Sequence, residues 1–303
     1  MTEEVLQDGK EIKRQIKVDP KELVMKIVFI IAAVVFIAAV VTICVFIFVQ
    51  AVPALKEIGL FNFLFSSEWD PDVEGTGGGS YGIATMIVGS IYITAGALIV
   101  GVPIGFLTAV FMARYCPRPL YKVMKPMTNI LAGIPSIVYG YFGVRVIVPF
   151  IRDTFGGYGY SILSASLVLG IMILPTIISV SENAIRAVPK SYYEGALALG
   201  ATKERAIFRT EVPAAKSGIV TSIILGLGRV IGETMAVVML CGNQTEFPDS
   251  ILDGVRTMTA NIVLELGYAE GLHRGALIAT AAVLFVFILI ITLLVSLIRK
   301  KAK

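Results

Sequence analysis

Long apolar runs alternate with short charged stretches along this chain. Six runs are long enough to cross about 30 Å of hydrocarbon: 27–51, 83–113, about 127–150, 161–181, 214–241 and 276–298. They are apolar around the whole helical circumference rather than on one face, so each is predicted to be a membrane-spanning helix. The second carries Gly101, Pro103 and Gly105, and the fourth Pro175, features of close helix packing or of bends. The third is interrupted by Gly133, Pro135, Gly140 and Gly143. The expected fold is an all-α integral membrane protein with one transmembrane domain, 27–298. It lies between a mixed-charge tail, 1–26, and a short end, 299–303. The tail has no apolar h-region before Lys26 and does not read as a signal peptide.

Composition agrees with a bilayer as the solvent. Hydrophobic residues make up 56% and charged residues 16%, against about 25% charged in soluble domains. The charges orient the chain. Of 26 Lys and Arg residues, six lie in the tail, four in 114–125, six in 186–216 and four at the C-terminal end. The alternate loops hold five (Lys56, Arg145, Arg152, Arg256, Arg274) and an acidic excess that includes Glu57, Glu68, Asp70, Glu246 and Glu265. Arg229 falls inside a span. By the positive-inside rule both termini and the 186–216 loop are expected in the cytoplasm of a multi-pass plasma (inner) membrane protein.

Several chemistries find no footing. No G-x-x-x-x-G-K-[ST] occurs, and the glycine cluster at 75–79 lacks the Lys-Ser/Thr needed to cradle phosphates. One histidine and three scattered cysteines (Cys44, Cys116, Cys241) offer no metal spacing. No nucleophile–base or two-histidine spacing falls within the spans. No catalytic centre, metal, cofactor or nucleic-acid partner is expected, and any ATP chemistry belongs to a separate chain.

Two stretches carry specific patterns. The loop Ser191–Pro213, SYYEGALALGATKERAIFRTEVP, reads as two short helices. Pro189 suits a first helical position, Gly200 a C-terminal stop and Thr202 an N-cap, while Pro213 opens the next helix. The capping box is incomplete because Arg205 replaces Glu or Gln. The fifth span holds Arg229 and Glu233, four apart and so on one helix face, with Ser222, Gly226 and Ala236. Arg229 lies roughly 22 Å along the axis from Ala214. A charge at that depth costs about 2.5–3.5 kcal/mol and usually faces a bundle interior or a water-filled path.

The spacing Glu194-Gly195-Ala196, Gly200, Val212-Pro213 resembles the "EAA" loop of ABC importer permeases, with Gly195, Thr210 and Val212 departing from it. The segment LGLGRVIGETMAV, from Leu225, narrows the resemblance to PstC-type phosphate permeases, and Leu131–Gly140, LAGIPSIVYG, is similar to a second stretch of the same family. The resemblance implies a type I importer (MetI-like) permease with six transmembrane helices, N-in and C-in. It makes this chain half of a phosphate pathway. Energy would enter through the loop at about 186–213, where Glu194, Gly195, Ala196, Gly200 and Pro213 meet an ATPase. The implied partners are a second permease of the PstA type, an ATPase dimer of the PstB type and an external phosphate-binding protein of the PstS type.

Within that frame Arg229 would meet the passing anion, whose oxygens match guanidinium donors. Glu233, Gly226 and Ser222 would line the same path, and Glu233 would pair with Arg229 in its absence. The other reading is a self-neutralising pair that only locks helices. Trp69, Asp70, His273 and Arg274 are candidates for docking the binding protein, with Trp69 equally suited to an interfacial anchor. Arg145, unexpected for the family, either snorkels to the outer edge or guides anions. Rival functions are a permease for molybdate or sulfate and a membrane component that signals phosphate status.

Overall fold

The computed structural model describes residues 4–7, 10–13, 20–71 and 79–301, with side chains described at 21–71 and 79–297. Most of the 75–79 glycine cluster, much of the 1–26 tail and the side chains of 299–303 lie outside those residues. The chain divides into two compact units, Met1–Val49 and Gln50–Lys303.

In the first unit, β1 (Glu4–Gln7) and β2 (Lys10–Lys13) pair antiparallel with Val5 opposite Ile12. The unit continues into α1 (Pro20–Ile58), whose apolar side chains up to Val49 are exposed or half-buried. Such a surface calls for lipid or another apolar chain around it.

The second unit continues α1 and adds α2 (Leu60–Phe65), the two-residue ribbon β3 (Trp69–Asp70) with β4 (Ser80–Tyr81), and α3 (Ala84–Val110). Its core is the seam between α3 and α7 (Ile162–Arg186), where Leu169, Met172, Ile173 and Ile177 are buried. The two glycines expected to allow close packing do so. A Cβ on Gly101 would stand 2.7 Å from Ile173, and one on Gly105 2.8 Å from Ile177. α7 starts where Ser161 accepts a bond from Ser164 N–H (3.2 Å), an N-cap, and runs through Pro175 unbroken. The last span is α14 (Gly271–Lys301), and Ala54 packs against its Gly275.

The third and fifth spans are not single helices. The first of them is α4 (Arg118–Gly133) followed, across a 98° bend, by α5 (Ser136–Phe142), a π turn (Gly143–Ile147) and α6 (Val148–Phe155). Pro135 explains the bend: it lacks an N–H and holds Ile134 extended (ψ 127°). Before the fifth come α8 (Lys190–Ala198), α9 (Lys203–Ala206), a π turn (Ile207–Glu211) and α10 (Val212–Ala214). A 69° bend then leads into α11 (Lys216–Ile231), and after a gap at 232–234 comes α12 (Met235–Leu240). Among the described residues four helices are long and apolar enough to cross a membrane, or up to six spans if each bent pair counts as one. Between α12 and α14, α13 (Met258–Glu265) packs back onto α3 through Met258 N–H and the Ser90 hydroxyl (3.2 Å).

Candidate functional site: a broken span between two tied ends

The expectation that Arg229 and Glu233 share one helix face is corrected by the break. Gly232 ends α11 and the Glu233 carboxylate accepts the N–H of Ala236 (3.2 Å), so the side chain starts a new helix instead of continuing the old one. Thr259 holds the Glu233 carbonyl from α13 (3.1 Å). Arg229 thereby sits in the last turn of α11 and Glu233 at the start of α12. Each charge meets the helix end whose dipole favours it. Among the described residues no ion pair joins the two. The charges are tolerated through backbone ends rather than through each other.

Ser222 and Gly226 lie in the seam with α7. The Ser222 hydroxyl is 2.8 Å from that of Ser181 and bonds Ile219 O (2.7 Å), and a Cβ on Gly226 would touch Ile177 at 3.4 Å. Within this chain they close a helix contact. The 131–140 stretch is brought to the break instead. A Cβ on Gly140 would stand 2.8 Å from Met239 Sδ and 3.1 Å from the Cα of Ala236, and the hydroxyl of buried Tyr139 donates to Leu131 O (2.8 Å). Arg145 is exposed, its Nε donating to the Tyr141 hydroxyl (3.2 Å).

The 186–213 loop follows its capping signals. Pro189 is the N-cap of α8 rather than its first residue, Gly200 takes φ +82° after the helix, and Thr202 accepts Arg205 N–H (3.3 Å). Glu194, Gly195 and Ala196 lie on α8, which buries no side chain. Leu199 beside them is 91% exposed, an apolar tip without cover in this chain. Pro213 opens α10.

The far limb of that loop is fastened by groups the sequence reading passed over. Glu182 is fully buried; it accepts Tyr121 OH and Arg186 Nε at Oε1, and Lys125 Nζ at Oε2, all at 2.8 Å. Arg186 Nη2 also donates to Met112 O (2.7 Å), and Arg114 pairs with buried Glu211 (2.7 Å). The available signal was Glu182 four residues before Arg186 at the end of a span, facing the basic 114–125 stretch.

The other end has a matching knot. Trp69 and His273, expected at a docking surface, are 7% and 5% exposed. Trp69 Nε1 donates to Glu265 Oε2 (2.9 Å), His273 Nε2 lies 2.8 Å from the same oxygen, and Arg256 Nη1 donates to Oε1. Arg256 also reaches Asn261 Oδ1 and Asn243 O, both at 3.1 Å. Trp69 and His273 therefore tie the β3–β4 ribbon to α14 through Glu265, and only Asp70 and Arg274 of that set remain exposed.

A set of long apolar helices, the fifth span broken at a charged point, has the build of a multi-pass transport permease. Residues 101–303 match the family of binding-protein-dependent transport system inner membrane components. The chain is 37% identical over 273 residues to the probable ABC transporter permease protein YqgH of Bacillus subtilis, covering 87% of each. It is 34% identical to the phosphate transport system permease protein PstC of Mesorhizobium japonicum, covering 78% of this chain and 77% of the relative. PstC of Haemophilus influenzae is 35% identical, with 77% and 79% covered. Solved permeases share the fold. An alginate ABC transporter aligns with a TM-score of 0.63 at 16% identity (93% of this chain, 96% of that one), and the inward-facing MetNI methionine transporter with 0.54 at 19% (73% and 94%). The chain belongs to this family of importer permeases and, within it, to the PstC type.

Proposed function

We propose that this chain forms half of the translocation path of an ATP-driven phosphate importer, with a PstA-type permease as the other half. A PstB-type ATPase dimer and a PstS-type external phosphate-binding protein complete the complex. Both termini and the 186–213 loop then face the cytoplasm of the inner membrane, in keeping with the positive-inside distribution of Lys and Arg. The exposed face of α8, with Glu194, Gly195, Ala196 and Leu199, supports ATPase docking, and Gly200 and Pro213 set the loop's two bends. Asp70 and Arg274 are the exposed groups available to the binding protein.

The observation that carries the pathway reading is the break at 232–234. It leaves Arg229 on a helix end inside an apolar span, with a guanidinium suited to phosphate oxygens and a carboxylate one step further along. Passage past Arg229 requires only a transient bond, because helix ends already stabilise both charges. The test is phosphate uptake and phosphate-stimulated ATP hydrolysis by the reconstituted complex carrying Arg229→Gln or Glu233→Gln. Uptake is expected to fall by at least about tenfold, one lost charge-assisted bond or more. Wild-type uptake in both variants at equal expression would leave the pair structural. Replacing Glu194 and Gly200 together should uncouple ATPase from transport, and full transport in that variant would remove the docking assignment.

A further inference from the structure

Two π-helical turns stand at the basic end of the second unit, Phe111–Tyr115 closing α3 and Ile207–Glu211 in the 186–213 loop. Such turns are rare and concentrate at functional positions. Each of these two contributes one member of the same ion pair, Arg114 and Glu211. The pair is half made. Nη2 and Oε1 stand 2.7 Å apart, yet Arg114 Nε and Glu211 Oε2 are both buried without a hydrogen-bond partner. A guanidinium edge and a carboxylate are shaped for two parallel bonds, and a buried charged group left partly unmatched keeps its desolvation penalty. Glu182 differs: both of its oxygens are engaged.

We propose that Arg114 and Glu211 form a two-position latch that passes movement of the 186–213 loop into the core seam. In the arrangement seen here the latch holds by one bond. In the other position a rotation of either π turn brings Arg114 Nε–H onto Glu211 Oε2 and closes it with a second. Both core helices feel the change. Arg114 Nη2 also donates to Ile185 O at the end of α7 (3.0 Å), and Arg186 of α7 donates back to Met112 O beside Arg114 (2.7 Å). Arg114 and Glu211 are positioning residues; they touch neither phosphate nor ATP. The latch rests on the loop being the ATPase contact proposed above.

The test uses the complete complex in lipid, measuring phosphate moved per ATP hydrolysed and ATPase activity with and without the binding protein. Arg114→Lys keeps the charge and one bond but removes the two-nitrogen edge. It is expected to assemble, to keep basal hydrolysis, and to lower phosphate per ATP by at least about fivefold, the lower end of usual coupling strengths. Glu211→Gln should act in the same direction, and exchanging the two residues (Arg114→Glu with Glu211→Arg) should restore part of the ratio. A wild-type ratio in Arg114→Lys overturns the latch. A second measurement needs no variant. Amide exchange at 111–115 and 207–211 of the wild-type complex should change together on trapping with ATP and vanadate, and unchanged exchange at either turn overturns the latch. The two readings fail separately. If Glu194 and Gly200 replacements leave coupling intact, the docking assignment falls and the latch with it. If they uncouple while Arg114→Lys does not, the latch alone falls.

Discussion

Glu182 and Glu265 are buried carboxylates at opposite ends of the second unit, and each is held by three side-chain partners. Glu182 has two permanent cations, Lys125 and Arg186, with Tyr121 as the third partner. Glu265 has one, Arg256, with an indole and an imidazole beside it. The first knot ties α4 to α7 next to the 186–213 loop. The second fastens the β3–β4 ribbon, with Trp69 and Glu265 lying 196 residues apart in sequence. Both ends are therefore fastened by saturated charges, while Arg229 between them rests on a helix end. Charge at the ends builds the bundle, and the Arg229 charge between them is carried by a helix end.

Removing an end carboxylate is the strongest way to break this contrast. Glu182→Leu takes the shared acceptor from half-buried Lys125 and exposed Arg186 and leaves the Tyr121 hydroxyl unpaired, and should cost at most about 3–5 kcal/mol, read from thermal unfolding of the detergent-solubilised protein. Glu265→Leu should fall at the low end of that same range of about 3–5 kcal/mol, because only Arg256 keeps a permanent charge. A larger loss at Glu265 than at Glu182 would reverse the ranking. Trp69→Phe keeps the ring and deletes one bond to Glu265, so about 1–3 kcal/mol is expected. No loss at all would mean that His273 and Arg256 hold the loop alone. Smallest in stability is Arg229→Gln. It forfeits a cation at a helix C-terminus, about 0.3–1 kcal/mol, while uptake should collapse. A stability loss as large as that of Glu182→Leu would place Arg229 among the structural ties.

What was legible in the sequence was local. The apolar runs, the Gly200 stop, the Thr202 cap and the Gly101/Gly105 packing face all depend on neighbours a few residues away, where chain stiffness and side-chain size decide the outcome. Pro135 announced a break but not a 98° bend, since a proline removes one hydrogen bond and leaves the surrounding contacts to choose the angle. The paired Arg229 and Glu233 were misread for a related reason. An apolar run with charges four apart is consistent with one helix, and nothing in the spacing reveals that Thr259, 26 residues on, holds the Glu233 carbonyl outside it.

Trp69 and His273 show the same limit from the other side. Their types suited an exposed docking loop, yet both are drawn inward by Glu265, whose burial no local pattern encodes. Hydropathy and contiguous motifs were enough to show that this chain lives in a membrane, how many times it can cross, and which family of importer permeases it resembles. Those properties follow from short-range hydropathy and from motifs contiguous in the chain. Which charges neutralise one another emerged with the fold, because desolvation and pairing are set by groups that folding brings together from far along the chain.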